Sequence, residues 1–262
     1  MKKIHSLIRE GKLADALLCC AKELQDEPLN FDIRSLYSEL LCINGELEKA
    51  DKQLDFMVQK NPEFAVGAVN LRHLIRAQQS RVDFYQGKGI PKLFHEANEL
   101  DTLFLKMHVA LLEGETSEAA TLAKQMEALR LESVDDEHSA IRDLDDSLSP
   151  YLEVLGTNGK FYLANFNEIE TLKVEPVASL LESIWLRVEI TIKDGPSGTA
   201  HLPLVYANSN TELEKLGQVS DWDELQDEFI VGKGMKMLFV NDEAITIPSL
   251  KINAVETAEK AQ

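Results

Sequence analysis

The feature that most constrains this chain is a repeat with a period of 34 residues in its first half. Four residue types recur at that offset: Gly11 and Gly45, Leu13 and Leu47, Ala16 and Ala50, and Pro28 and Pro62. This is the period of tetratricopeptide (TPR) repeats. There the glycine permits a tight turn between two antiparallel helices, and the proline ends the second helix. The sequence therefore predicts a stack of helical hairpins.

A third copy of the repeat begins at Gly114, with Ala119 again five residues after the glycine. The copy before it has lost its turn, because Gln79-Ser80 stand where a glycine is expected. We therefore predict one unbroken helix across that position. The predicted helices are 3–10, 13–26, 31–43, 47–60, 63–85, 93–113 and 117–131.

Stacked helical hairpins form a curved surface, and the first helix of each pair lines its concave side. We expect this side to bind an extended or helical peptide. Its predicted partner-binding residues are Arg34, Tyr37, Arg72, His73, Arg76 and Arg81. Arg72 and Arg76 are four residues apart and share a helix face, which predicts a local positive patch. The alternative is a solvated face on which these arginines pair with nearby carboxylates.

The charge of the chain is unevenly distributed. Residues 1–131 hold 17 Lys/Arg and 20 Asp/Glu, a net charge of −3, whereas residues 132–262 hold 10 and 25, a net charge of −15. An acidic second half repels phosphate backbones and anionic lipid, so we expect neither nucleic acid nor a membrane as partner.

The sequence also indicates the compartment. No run approaches the roughly 20 apolar residues that span a bilayer, and the first residues run into an amphipathic helix instead of a signal-peptide apolar block. The three cysteines form no CxxC pair, which suits a reducing compartment. We therefore expect a cytoplasmic protein.

Seven acidic residues mark the predicted boundary between two domains: Glu132, Asp135, Asp136, Glu137, Asp143, Asp145 and Asp146. We interpret this run as a solvated linker, because it lacks the central glycine of a calcium-binding EF-hand loop. After Pro150 the pattern changes from helical toward alternating. The predicted units are a TPR-like helical domain at 1–131, an acidic linker at 132–149, an α+β domain at 150–252 and a frayed tail at 253–262.

Five segments of the second half are predicted strands. They are 160–163, which follows the turn Asn158-Gly159, 185–192 and 199–206, which form a hairpin, and 237–240 and 244–247, which form a second hairpin around Asn241-Asp242. The stretches near 167–184 and 221–228 are predicted helices. The fold class is therefore a TPR-like α-α superhelix followed by a small α+β domain with an antiparallel sheet or a partial barrel.

No residue pattern in the sequence indicates catalysis. His95-Glu96 lacks the second histidine of a zinc-protease helix, and Gly232-Lys233-Gly234 lacks the other residues of a dinucleotide loop or a P-loop. We therefore expect a binding protein without catalytic residues, metal or cofactor. The alternative is an enzyme whose site lies in the acidic second domain, around Asp143, Asp145, Asp146 and Glu153.

Motifs in both halves point to one family. In the first half they are Gly11-Lys12-Leu13-x-x-Ala16, Arg34-x-Leu36-x-x-Glu39-Leu40-Leu41-Cys42, Gly45-Glu46-Leu47-x-x-Ala50-x-x-Gln53-Leu54, Arg72, Ala77, Arg81, Phe84, Gly87 and Pro91. In the second half they are Asp143-x-Asp145-Asp146, Pro150-x-Leu152-Glu153, Gly159, Tyr162, Trp185, Leu202-Pro203-x-x-Tyr206, Trp222 and Gly232-x-Gly234 followed by Lys236. In this order they resemble the ImpE/TagJ family, also called SciE-type, accessory proteins of bacterial type VI secretion.

The resemblance implies a non-enzymatic cytoplasmic adaptor of the type VI secretion system. The implied partner is the small subunit of the contractile sheath, bound through its N-terminal segment, with a further link from the sheath to the recycling ATPase ClpV. From the repeat alone, the alternative is a general peptide-binding or assembly chaperone of TPR type unrelated to secretion. Either protein would use a helical groove or an exposed sheet edge.

Overall fold

The structure, a computed structural model, describes residues 1–132, 141–226, 228–241 and 243–252. The helices in these residues are α1 (Lys2–Arg9), α2 (Leu13–Asp26), α3 (Phe31–Asn44), α4 (Leu47–Lys60), α5 (Ala65–Tyr85), α6 (Glu99–Glu113), α7 (Thr116–Glu132) and the short α8 (Glu212–Lys215). The strands are β1 (Arg142–Asp143), β2 (Tyr151–Gly156), β3 (Phe161–Asn165), β4 (Ile169–Val174), β5 (Trp185–Ile192), β6 (Ser197–Pro203), β7 (Ser220–Glu224), β8 (Ile230–Gly234), β9 (Met237–Val240) and β10 (Glu243–Thr246). A helical half therefore precedes a sheet half.

The first four helices form two antiparallel hairpins, as the repeat predicts. The turn between α1 and α2 has Gly11 at φ +74°, and the turn between α3 and α4 has Gly45 at φ +85°. Glycine adopts this left-handed conformation without the steric cost that a Cβ imposes. Ala16 and Ala50 are fully buried, so small side chains stand where the helices approach each other. The predicted TPR-like fold of this half is confirmed.

Helix α5 runs for 21 residues without a break. It passes through Gln79-Ser80, the position at which the repeat has lost its glycine, so the predicted fusion is confirmed. Ala77 and Phe84 are buried on either side of that position. The α5 end meets α6 through the ring of Phe84, whose centroid lies 4.0 Å from that of His108.

The sixth helix starts later than predicted, at Glu99 instead of position 93. Asn98 accepts the backbone N–H of Asp101, and the Asp101 carboxylate accepts the N–H of Asn98, so a capping box fixes the helix start. The residues before α6 are not helical. One of them, Lys92, forms an isolated β-bridge with Tyr162 on β3 and so joins the sheet half.

The sheet half is antiparallel throughout its named strands. Its largest sheet has five strands in the order β3-β2-β6-β5-β4, a second has the order β1-β9-β10, and β7 and β8 form a two-stranded ribbon. The two predicted hairpins are β5 with β6 and β9 with β10, and both are present. Residue Asp242, in the second turn, lies outside the described residues. Of the two predicted architectures, the antiparallel sheet is the one observed.

Both predicted helices of the sheet half are wrong, because the segment 167–184 contains β4 and the segment 221–228 overlaps β7. In β4 the buried residues Ile169 and Leu172 are three apart, which is a helical spacing. A bulge next to Ile169 shifts the register of its pairing with β5 and puts both residues on one face. The residues of β7, Ser220–Glu224, do not alternate between apolar and polar, so their pattern did not predict a strand.

Strand β2 is buried on both faces, and this explains why the sequence pattern did not reveal it. Tyr151 and Leu155 belong to the core that the sheet shares with the helices. Leu152 and Val154 belong to a second core on the opposite face. A strand covered on both sides has no polar face, and its period of two therefore disappears.

The sheet half lies directly against the helical half. The Glu212 carboxylate of α8 accepts the backbone N–H of Ala14 at the start of α2, at 2.9 Å. On α3, the Glu39 carboxylate accepts the N–H of Leu181 at 3.0 Å. Helix α3, the first helix of the second hairpin, was predicted to face a partner, but it contacts the sheet half of its own chain. None of the helices in the described residues combines the length and apolar character needed to cross a bilayer.

Candidate partner-binding clefts between helices and sheet

A buried ionic cluster joins the two halves. Arg81 of α5 donates to both carboxylate oxygens of Glu153 on β2, at 2.7 Å each, and Lys236, just before β9, donates to the same carboxylate at 2.5 Å. All three side chains are at most 5% exposed. Burial disfavours the ionised form of Glu153, but the two cations outweigh it and lower its pKa to about 2. Bidentate, charge-assisted hydrogen bonds of this kind fix the relative position of the two side chains.

Two acids of the predicted linker adjoin this cluster. Asp143 accepts the hydroxyl of Tyr206 at 2.7 Å and the backbone N–H of Asp145 at 2.9 Å. Asp145 accepts the N–H of Gly232 and of Ser147, both at 2.8 Å. Burial and the charge of Asp143 raise the pKa of Asp145 to about 7. The interpretation of a solvated linker is therefore wrong for these residues, which are 1% and 3% exposed.

The cluster is a structural joint. Its carboxylates take their hydrogen bonds from the chain itself, so it does not favour the alternative of an enzyme centred on these acids. Within the described ranges, no group of three or more His, Cys, Asp or Glu is placed to hold a metal ion. The predicted linker residues 133–140, which include Asp135, Asp136 and Glu137, and the predicted tail at 253–262 lie outside the described residues.

Two of the six predicted partner-binding residues are buried, because the sheet half and neighbouring helices cover them. Arg81 is 4% exposed, and its guanidinium is hydrogen-bonded to the carboxylate of Glu153. Arg34 is 8% exposed, donates to the Pro28 carbonyl at 2.6 Å and lies 4.0 Å over the ring of Phe56. Neither arginine offers its charge to a partner, and for these two the expectation of an open groove is wrong.

The other four predicted residues do not form a single patch either. Arg72 forms ion pairs with Asp51 at 2.7 Å and with Asp55 at 3.0 Å. For this residue the structure agrees with the alternative stated above, a solvated face on which arginines pair with nearby carboxylates. Arg76 is exposed. The two remaining side chains, Tyr37 and His73, are half-buried. None of these four lines either of the two clefts described next.

Two clefts between the helices and the sheet of the described residues adjoin Trp185. The wide cleft has a volume of about 510 Å³, and its lining includes Glu39, Asn70, Leu71 and Leu74 from the helices and Leu181, Glu182, Trp185, Arg187, Thr199 and His201 from the sheet half. The narrow cleft has a volume of about 290 Å³, and its lining includes Gln78, Arg81, Trp185, Asn208 and Ser209. Cavities of several hundred Å³ are of the size that proteins use for ligand binding.

The hairpin of β5 and β6 gives the wide cleft its chemistry. Leu186 and Val188 point into the second core, so the alternate residues Trp185 and Arg187 point to the opposite face. Arg187 is paired directly across from His201, which places their Cβ atoms roughly 4.5–5.5 Å apart. No carboxylate of the described residues lies within ion-pair distance of Arg187.

His201 is uncharged near neutral pH. Burial lowers its pKa to about 4, because the charged imidazolium loses hydration there. Its Nδ1 atom is buried without a hydrogen-bond partner in the described residues. A neutral imidazole offers one donor and one acceptor, so the ring can still bind a polar group of a ligand.

The two carboxylates that line the wide cleft are already engaged. Glu182 accepts the backbone N–H of Ala178 at 2.6 Å, and Glu39 accepts that of Leu181 at 3.0 Å. Burial raises the pKa of Glu39. Besides neutral side chains such as Asn70 and Thr157, the wide cleft offers a ligand the guanidinium of Arg187 and the neutral imidazole of His201.

Sequence reasoning missed Trp185, Arg187 and His201 as binding residues, although a signal for two of them existed. Residues 185–192 alternate between apolar and other side chains, and the non-core face carries a tryptophan two positions from an arginine. The position of His201 opposite Arg187 follows only from the register of the hairpin, which the sequence did not fix.

Known proteins share both halves of this chain. A model of the ImpE protein family matches residues 135–255. The type VI secretion system accessory component TagJ of Pseudomonas aeruginosa is 26% identical over 249 residues, which cover 92% of this chain and 86% of that protein. The crystal structure of protein VPA1032 from Vibrio parahaemolyticus has a TM-score of 0.90 and 32% identity, with 98% of each chain covered.

The fold thus defines a class of protein, a helical-repeat array that packs against an antiparallel sheet of the same chain. The relatives indicate a family within this class, because their similarity to this chain covers 92% and 98% of its length. The chain belongs to the ImpE/TagJ family, and the resemblance found in the sequence is confirmed.

Proposed function

We propose that this protein is a cytoplasmic, non-enzymatic adaptor of the type VI secretion system, which binds the N-terminal segment of the sheath small subunit. The observation that carries the proposal is the match over 92% of the chain to TagJ, an accessory component of that system. The clefts beside Trp185 support a binding role, because they are concave and combine apolar walls with a few polar groups.

In this proposal the segment lies between the helices and the sheet. Its apolar side chains pack on Leu71, Leu74 and Trp185, and its polar groups meet side chains of β5 and β6. The ionic joint of Arg81 and Glu153 holds the two walls in place before the partner arrives. A binding surface that is already ordered loses little conformational entropy on association.

We further propose that the same protein connects the sheath to the recycling ATPase ClpV. A segment held in the clefts leaves the outer surfaces of both halves accessible, so the ATPase can bind elsewhere at the same time. Co-elution of ClpV with the sheath segment only when this protein is present would support the link. Co-elution in its absence would show that no adaptor is needed.

The binding proposal is tested by calorimetric titration of the full-length protein with a peptide of the sheath small subunit's N-terminal segment from the same bacterium. A peptide with the same residues in scrambled order is the control. The proposal expects saturable binding of the native order only. No binding at concentrations on the order of tens of micromolar would contradict it.

The alternative is a general peptide-binding or assembly chaperone outside secretion, which the same clefts would also serve. It predicts comparable affinity for the native, scrambled and unrelated amphipathic peptides. The match to TagJ favours the adaptor.

A further inference from the structure

The wide cleft contains an exposed cation, Arg187, that forms no ion pair among the described residues, although the carboxylates of Glu39 and Glu182 line the same cleft. The formal net charge is −18, and two other arginines of α5 are paired, Arg72 with Asp51 and Arg81 with Glu153. Arg187 has no such partner among the described residues. Beside it, the buried Nδ1 of His201 also has none.

We infer that the wide cleft selects a partner segment that presents an Asp or Glu carboxylate next to a bulky apolar side chain. This rests on the proposed function in one respect, that the ligand is a segment of another protein. The recognising residues are Arg187 and His201 for the carboxylate, and Leu71, Leu74 and Trp185 for the apolar side chain.

The guanidinium of Arg187 determines the charge of the ligand. It presents a planar set of N–H donors that matches the two oxygens of a carboxylate. The neutral ring of His201, directly across the hairpin, adds one N–H donor to the same carboxylate. Glu39 and Glu182 do not neutralise Arg187, because neither forms an ion pair with it and both accept backbone N–H groups.

The apolar wall determines the neighbouring side chain of the ligand. Leu71 and Leu74 are on one face of α5, and Trp185 stands opposite on β5. An apolar group that enters between them loses contact with water, which contributes roughly 25 cal/mol per Å² of buried apolar area. The same desolvation strengthens the nearby ion pair with Arg187.

The extent of the two clefts favours a protein segment over a small acid. On α5 their lining runs from Gly67 in the wide cleft to Tyr85 in the narrow cleft, a distance of about 27 Å at 1.5 Å per residue. Trp185 lines both. A segment that passes over Trp185 can fill both clefts, whereas a small acid fills one.

The test uses the full-length protein and a set of short peptides that share their apolar residues and differ at one position, which is Glu, Gln or Lys. The sheath peptide is titrated in parallel. We expect the Glu peptide to bind at least about tenfold more tightly than the Lys peptide. In Arg187→Glu this order should reverse, because the complementary charges have been exchanged. A merely structural role of Arg187 would weaken all peptides alike.

The control variant is Arg76→Glu, which reverses an exposed arginine on α5 outside both clefts and should leave the order of affinities unchanged. His201→Gln removes the ring and is expected to weaken the Glu peptide severalfold, with little effect on the Lys peptide. Circular dichroism of each variant verifies that it is folded.

The outcomes separate this inference from the proposed function. If the sheath peptide binds and Arg187→Glu does not weaken it, the inference is overturned and the adaptor stands. If the Glu peptide binds through Arg187 but the sheath peptide does not, the adaptor fails and the selectivity stands. Tighter binding of the Lys peptide, or a free dicarboxylic acid that binds as well as the Glu peptide, overturns the inference, and no binding of any peptide overturns both.

Discussion

Among single residues, Glu153 has the largest role in holding the molecule together. It is the one carboxylate that both Arg81 and Lys236 contact, and all three are withdrawn from water. Removing its charge would leave the buried Arg81 facing a neutral amide and would leave Lys236 only the carboxylate of Asp143, at 3.9 Å. The energetic cost of such an unpaired buried charge exceeds that of losing an ordinary hydrogen bond.

We therefore predict that Glu153→Gln lowers the free energy of unfolding by about 3–5 kcal/mol, measured by urea denaturation. The matched control is Asp223→Asn, which breaks the exposed ion pair of Asp223 with Lys233 and should change stability by less than about 1 kcal/mol. Equal effects of the two substitutions would contradict the assignment of Glu153 as the joint.

His201 gives a second prediction, on pH. Its pKa is about 4 in the folded protein, against an ordinary value of about 6.5. The unfolded chain therefore binds a proton between these values while the folded chain does not. This contribution to stability is complete above about pH 6.5 and is lost as the pH falls toward about 4.

In His201→Gln this loss is absent, so the stability of the variant should decline less steeply over that pH range than the stability of the wild type. Urea denaturation at a series of pH values measures the difference. His5→Gln, at an exposed histidine, is the control. Parallel curves for His201→Gln and the wild type would show that the ring is not buried in its neutral form.

At the scale of elements, the sequence predicted best where one face of an element meets water. The repeat predicted α1 to α4, and alternation predicted β5, because the spacing of their apolar residues follows their burial. The turn Asn158-Gly159 predicted β3. β2 is buried on both faces, and β4 carries a bulge, so the expected periods are absent or altered. The acids at 143 and 145 were misread because two of their donors, the Tyr206 hydroxyl and the Gly232 N–H, come from residues more than 60 positions away in the chain.

The candidate site was predicted less well than the fold for a related reason. The concave face was expected to be open, but contacts such as that of Glu39 with Leu181 cover part of it. These contacts join residues that are 142 positions apart in the chain. A local pattern contains no information about pairing at that range. The two clefts belong to this category. The pairing of Arg187 with His201 is local, within a predicted hairpin, but it depends on a register that the sequence pattern did not determine.

Two glycines at positive φ test how tightly the elements pack. A Cβ at Gly234, which ends β8 at φ +71°, would lie 2.0 Å from the carbonyl oxygen of Val219, whereas a Cβ at Gly114, at φ +78°, has nothing within 4 Å. Both alanine substitutions incur the left-handed backbone cost of about 1–2 kcal/mol.

Gly234→Ala should therefore destabilise the protein by about 1–3 kcal/mol more than Gly114→Ala, as expected for a steric conflict in a packed region. Denaturant unfolding of the two variants side by side measures the difference. Equal losses would mean that the ribbon of β7 and β8 yields without strain.

At the scale of the whole molecule, the helices and the sheet share one core. Residues of α5 such as Phe84 belong to the same apolar cluster as Phe161 on β3 and Trp185 on β5. A TPR-like array alone would leave its concave face for a partner, and here the chain covers part of that face itself. What remains for a partner is a restricted opening beside Trp185, and restriction favours selectivity over general peptide binding.

The chain has two tryptophans, and their fluorescence can report where a partner binds. Trp185 is 3% exposed between the two clefts, and Trp222 is 36% exposed on β7. In Trp222→Phe the only tryptophan fluorescence comes from the cleft, and in Trp185→Phe it comes from the ribbon of β7 and β8.

The most direct measurement is a fluorescence titration of these two variants with the peptide of the sheath small subunit's N-terminal segment. Binding between helices and sheet predicts that Trp185 emission changes and saturates at the midpoint found by calorimetry, while Trp222 emission stays constant. Calorimetric binding without a change at Trp185, accompanied by a change at Trp222, would contradict the account and move the partner to the ribbon.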